Sequence, residues 1–337
     1  MTVPVEPIAE YHDVDRPLFE DGILNSGTPA IFRALVADWP ATKAAIQSPE
    51  NLSAYLRGLY NGAMIETFFA PGTQAGRHFY DPQMRGFNFE RRNAPLPALL
   101  DKMIELTGQD DPMAIYAGSV PASHFVPQFA QENRMPLLDG RIEPRLWIGN
   151  RSRVAAHFDS DFNIACAISG KRRFTIFPPD QIGNLYIGPL EFNMAGPPAS
   201  LVDFANPDFA KYPRFRQAME AAIIVELEPG DALFLPPLWW HHVEADGSFN
   251  MLVNYWWSSS QFPLQMQALA LSMLALRERP LAEKQAWRAY FDNYVFEEGA
   301  TRAADHIPPH ARGVLGAPSA QRTNSILGFI MNSLGKA

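Results

Sequence analysis

Short apolar runs, some alternating with polar residues and some continuous, dominate the middle of the chain. The pattern predicts strands over 113–118, 144–150, 153–158, 162–168, 172–178, 222–227, 231–235, 240–245 and 249–257. Gly, Pro and Asp bound many of them, and Ser169-Gly170-Lys171 and Glu228-Pro229-Gly230-Asp231 read as tight turns. Short strands punctuated this way predict a sandwich or barrel. Residues 179–221 break the rhythm with a long proline-containing loop (Pro197-Pro198, Pro207, Pro213), and a loop of that length in a compact domain is commonly functional. The flanks follow other periods. On the N-terminal side, helices are predicted over 49–57, with Leu52, Tyr55 and Leu56 on one face, and over 96–106, with a strand over 63–70 between them. On the C-terminal side, Leu264 to Arg277 carries a wide apolar stripe that predicts burial on more than one side. Ser325 to Leu334 sets Ile326, Leu327, Phe329, Ile330 and Leu334 at helical spacing, for packing on its own chain or for dimerisation. Three regions result: an N-terminal α/β region (1–112), a strand-rich core (113–260) and a C-terminal helical region (261–337).

Composition narrows the function. Apolar residues make up 47% of 337 residues and charged residues 19%, an ordinary globular balance. A formal charge of -8 disfavours a duplex nucleic-acid binder, which needs a cationic face for phosphates. The basic runs Arg91-Arg92 and Lys171-Arg172-Arg173 are too short to change that. A single cysteine, Cys166, sits in the apolar run Ile164-Ala165-Cys166-Ala167-Ile168, so it reads as core, and no internal disulfide is possible. The first residues lack the basic and apolar segments of a secretory signal, and no run of about 18 apolar residues occurs. A cytoplasmic protein without a membrane span is expected.

The chemistry concentrates in two places. His157 and Asp159 lie two apart, and on a strand both side chains leave the same face. Far along the chain, Leu235-Pro236-Pro237-Leu238-Trp239-Trp240-His241-His242 follows another strand and offers a third ligand. Two imidazoles and one carboxylate on one side of a divalent ion leave its other side open, which suits non-haem iron(II). His241 and His242 face opposite ways, and spacing alone does not choose between them.

At these residues the sequence resembles the JmjC, or cupin-like, iron(II)- and 2-oxoglutarate-dependent oxygenases, and among them the asparaginyl hydroxylases most. The resemblance runs from about Ile115 to Trp257 through HFDSDFN (157–163), SGKRRFTIFPPDQ (169–181), VDFANPDF (202–209), PGDALFLPPLWWHHVE (229–244) and VNYWW (253–257). It implies a mainly β fold, a double-stranded β-helix or jelly roll, with N-terminal α/β additions and C-terminal helices. It selects His241 with His157 and Asp159 as metal ligands and catalytic centre. It also implies that Tyr116, Asn163, Arg172, Asn254 and Trp256 surround the co-substrate. Two positions depart from the pattern. Arg172 stands where the family usually has lysine, and its planar fork can pair a carboxylate in bidentate fashion. Val154 stands where a threonine hydroxyl is common, which removes one hydrogen bond worth about 1 kcal/mol. Alternation puts Arg172, Phe174 and Ile176 on one face and Lys171 and Arg173 on the other.

The expected function is therefore hydroxylation of a protein side chain or small molecule with Fe(II), 2-oxoglutarate and O2. A lysine demethylase of the same iron chemistry and a non-catalytic cupin-like binding module are the alternatives. Phe79, Tyr80, Phe192 and Trp239 are expected to face the substrate, and a homodimer through the C-terminal helices is the expected assembly.

Overall fold

Eleven strands organise the described residues of the computed structural model, which are 8–194, 196–258 and 262–335. They are β1 (Ala9–Tyr11), β2 (Ala30–Phe32), β3 (Met64–Ala70), β4 (Glu90–Pro95), β5 (Ala114–Pro121), β6 (Arg145–Gly149), β7 (Ser152–His157), β8 (Phe162–Phe177), β9 (Ile223–Leu227), β10 (Ala232–Leu235) and β11 (Trp240–Trp257). The chain divides into two compact units, Met1–Gln261 and Phe262–Ala337.

The two long strands make the first unit a jelly roll. The first half of β8 pairs with β10 (Asn163 opposite Leu235) and its second half with β9 (Arg172 opposite Leu227). The first half of β11 pairs with β7 (His241 opposite His157) and its second half with β6 (Asn254 opposite Arg145). β8 and β11 pair with each other along both halves, and their register shifts between Asp246 and Leu252. Each long strand thus serves two sheets. The larger runs β1-β2-β10-β8-β11-β6-β5-β3-β4, and β9-β8-β11-β7 forms the smaller. Residues 169–171, expected as a tight turn between separate strands, are instead a bend inside continuous β8. Gly170 makes it possible: its φ is +71°, and a Cβ there would lie 2.0 Å from Asn250 Oδ1.

Strand alternation divides the core. Ile164, Cys166 and Ile168 of β8 point outward, into a cluster with Phe19, Leu52, Leu56 and Leu100 that the N-terminal helices cover. Ala165, Ala167, Phe174 and Ile176 point inward, against Val225, Leu233, Val243 and Leu252. A strand buried on both faces needs a continuous apolar run, as 164–168 shows. Cys166 is fully buried, and burial pushes its thiol pKa up, as expected of a core residue. The N-terminal helices are Pro40–Gln47, Pro49–Leu59 and Leu96–Glu105. The Ser48 hydroxyl caps the second by accepting from the Asn51 amide.

The second unit holds helices Gln265–Leu276, Leu281–Phe291 and Ala320–Leu334. The stripe over 264–277 predicts burial on several sides, but no residue of Gln265–Leu276 is buried, and Leu274 is 81% exposed. Apolar residues spread around the whole helix give it no single face to bury. Among the described residues, no helix is long and apolar enough to cross a membrane.

Candidate metal and co-substrate site

Antiparallel pairing sets His157 directly opposite His241, with ring centroids 4.3 Å apart. Asp159 follows just beyond the end of β7. The turn that delivers His241 is pinned to it: the Leu238 amide donates to the Asp159 carbonyl at 2.8 Å. Leu238 holds a left-handed φ of 68°, a strain found where structure fixes a functional geometry. As a result, ligand-type atoms of His157, Asp159 and His241 all lie within 4.8 Å of one another.

Hydrogen bonds orient all three side chains. His157 Nδ1 donates to the Ala155 carbonyl at 2.9 Å, and His241 Nδ1 to the Trp239 carbonyl at 3.1 Å. Since a carbonyl only accepts, each neutral ring turns its Nε2 lone pair toward the shared centre. Burial, reinforced by neighbouring His241, holds the His157 pKa below the ordinary histidine value, so the ring stays neutral and able to ligate. Asp159 Oδ2 accepts from Asn163 Nδ2 at 2.8 Å and from Trp256 Nε1 at 3.0 Å, and Asn254 Nδ2 holds Asn163 Oδ1 at 2.6 Å. Asn163, Asn254 and Trp256 therefore form a chain of donors behind the carboxylate. His242 turns to the other face, with its ring centroid 4.4 Å from that of Phe204.

His157 and Asp159 of the triad line a cavity of about 700 Å³, together with Tyr116, Trp147, Val154 and Trp256. Arg172 is 4% exposed, and among the described residues no carboxylate lies within salt-bridge distance of it. Its Nε is buried without a hydrogen-bond partner. Burial lowers its pKa to about 10, while the neighbouring Tyr116 acts in the opposite direction. Burial also raises the Tyr116 hydroxyl pKa, leaving a neutral donor beside the cation. Asn254 Oδ1 and Trp147 Nε1 are buried and unpaired as well. Unmet buried polar groups cost about 1–3 kcal/mol each, and an unpaired buried charge costs more.

A family model described as a cupin-like domain matches residues 16–261. The chain belongs to the cupin-like family. It is 30% identical to human HSPB1-associated protein 1 over 159 residues, which is 46% of this chain and 32% of that protein. It is 30% identical to Arabidopsis thaliana lysine-specific demethylase JMJ31 over 115 residues, 34% of this chain and 20% of that protein. It is 24% identical to Dictyostelium discoideum JmjC domain-containing protein D over 251 residues, 67% and 51% respectively. The chain thus spans a fifth to a half of these relatives' lengths.

Within this cupin-like fold, Phe79, Tyr80, Phe192 and Trp239 do not line the cavity, contrary to their expected substrate-facing role. Phe79, Tyr80 and Phe192 pack in an aromatic cluster with Ala155, Ala199 and Met194, which form part of the cavity wall, and Trp239 Nε1 donates to the Gly27 carbonyl at 3.0 Å. The wall instead includes Phe68, His78, Arg145, Met194 and Ala199. His78 stacks on Tyr116, with centroids 5.5 Å apart and planes 26° from parallel. It comes from a segment without strand periodicity, so the sequence carries no local signal for it.

Proposed function

We propose that this cupin-like protein is an iron(II)- and 2-oxoglutarate-dependent oxygenase that hydroxylates a protein side chain or small molecule. One observation carries the reading: His157 and Asp159 from one segment and His241 from a distant strand converge with two imidazole Nε2 atoms turned inward, beside a cavity that His157 and Asp159 line. That donor set fits iron(II), with neutral nitrogens and one carboxylate leaving positions open. Bound there, iron with 2-oxoglutarate supplies the activation of dioxygen. The chain's own contribution is orientation and exclusion of water. Asn163 and Trp256 steady Asp159, and the buried Arg172 with the Tyr116 hydroxyl offers a charged fork and a donor for the far carboxylate of the co-substrate. Val154 and Trp147 wall the space between.

The test is anaerobic loading with iron(II), then oxygen and 2-oxoglutarate, reading iron content, succinate formed and oxygen consumed. Stoichiometric binding of one iron with 2-oxoglutarate-dependent oxygen uptake is expected. Tight zinc with no response to 2-oxoglutarate would favour a binding module. A demethylase reading draws support from the likeness to lysine-specific demethylase JMJ31. Formaldehyde release from methyl-lysine peptides separates it from hydroxylation. For assembly, self-association through the Phe262–Ala337 unit is proposed, since Phe296, Phe329 and Met331 are exposed there. Light scattering of the full chain reads it directly.

A further inference from the structure

Arg145 is a cation of the cavity wall, and nothing in the metal and co-substrate scheme uses it. It lies on β6 and lines the same space as His157 and Asp159. Its guanidinium carbon sits 5.9 Å from the ring centre of Trp256, the residue whose indole N–H holds Asp159. Its Nε donates to Ser119 Oγ at 2.8 Å, which fixes the orientation of the fork. That serine is placed with effort. The pairing of β5 with β6 shifts register between Ala117 and Val120, and Ser119 within the shift holds a left-handed φ of 55°. Bulges re-aim side chains, and strain of this kind persists where the surroundings demand it.

The rest of the fork is unused. Among the described residues, Nη1 and Nη2 of Arg145 have no hydrogen-bond partner, and no carboxylate lies within salt-bridge distance. Glu143 and Asp161 line the same cavity, but neither pairs with Arg145, and Glu143 instead accepts from the Ser123 amide. Arg145 is also separate from Arg172. They pair with opposite halves of β11, at Asn254 and Ala245, on either side of its register shift. Arg141 and Arg153 also line the cavity, but Arg141 pairs with Asp139 and Arg153 faces Glu244 at 3.7 Å, so among the described residues Arg145 is the lining arginine that pairs with no acid.

We propose that Arg145 is a specificity-determining residue and that the molecule oxidised carries a carboxylate, bound by the free edge of its guanidinium beside the metal centre. The source is either a free organic acid or an acidic side chain within a peptide. This rests on the oxygenase reading and names its substrate class.

The test uses full-length protein loaded with manganese(II) and saturated with 2-oxoglutarate, so that binding is read without turnover. Titration calorimetry compares three probes: capped peptides centred on Asp or Glu, matched peptides centred on Asn or Gln, and free N-acetylglutamate. The wild type should bind an acidic probe about tenfold or more tightly than the amide peptides, as expected of a charged hydrogen bond. Arg145→Gln should remove that preference, Arg145→Lys should keep part of it, and the 2-oxoglutarate affinity of both should stay unchanged. Preference for the peptide or for the free acid assigns the source. Equal affinity in the wild type, binding of no probe, or a preference that survives Arg145→Gln overturns the proposal. So does a parallel loss of 2-oxoglutarate affinity, which would make Arg145 a co-substrate contact. Failure of the protein to bind manganese or 2-oxoglutarate would instead strike the oxygenase reading, and the acidic-probe comparison on metal-free protein would still judge Arg145.

Discussion

The triad and the surroundings of Arg172 are built on opposite principles. At the triad every orienting bond is already made: both Nδ1 atoms donate to carbonyls of their own chain, and Asp159 accepts two side-chain donors. Around Arg172 polar groups are unmet: among the described residues its buried guanidinium pairs no acid, and its Nε has no hydrogen-bond partner. The triad is preorganised by its own hydrogen bonds, whereas Arg172 is a buried cation without such support. Orientation of a ligand set costs little to build in advance, whereas a buried charge held in reserve lowers the stability of the unliganded fold.

The sharpest way to break this contrast is to remove a ligand. Asp159→Ala should abolish iron binding and succinate formation while leaving the fold intact, read by metal analysis and circular dichroism. Next comes Arg172→Met. It should abolish protection by 2-oxoglutarate yet raise the stability of the ligand-free protein by about 1–4 kcal/mol, because an uncompensated charge leaves the core. Thermal melts with and without 2-oxoglutarate decide it, and a destabilised variant would mean that Arg172 is satisfied in the free protein. Asn163→Ala removes only a support behind Asp159, and metal affinity should fall by about 10–100-fold, measured by competition with a chelator.

A further effect concerns pH. Burial lowers the His78 pKa from 6.5 to about 4. The unfolded chain therefore takes up a proton at this position at a higher pH than the folded chain does. The neutral ring's contribution is fully present above pH 6.5 and is lost as pH falls through that value toward about 4. The loss amounts to roughly 3 kcal/mol at most. In His78→Phe the decline of stability over that window should be shallower, as denaturant titrations at several pH values would show.

Legibility along the chain followed the range of the interaction. The bend at Gly170 was misread because Gly between two apolar runs signals a turn locally, whereas here it lets one strand continue around the barrel against Asn250. Phe79, Tyr80, Phe192 and Trp239, expected to face the substrate, do not line the cavity for a related reason. Aromatic character marks burial, but it does not say in which cluster.

By itself, the sequence determined the strand-rich core, the inward face shared by Arg172, Phe174 and Ile176, and the pairing of His157 with Asp159 on one side of a chain. These are consequences of a two-residue period, which is local. Only the tertiary structure brought the His241 ring within reach of them, left Arg172 without an acid among the described residues, and set Arg145 beside Trp256. Those outcomes depend on the register between β7 and β11 and on the bend that carries the two long strands from one sheet to the other, and no stretch of neighbouring residues encodes which distant strand will lie opposite.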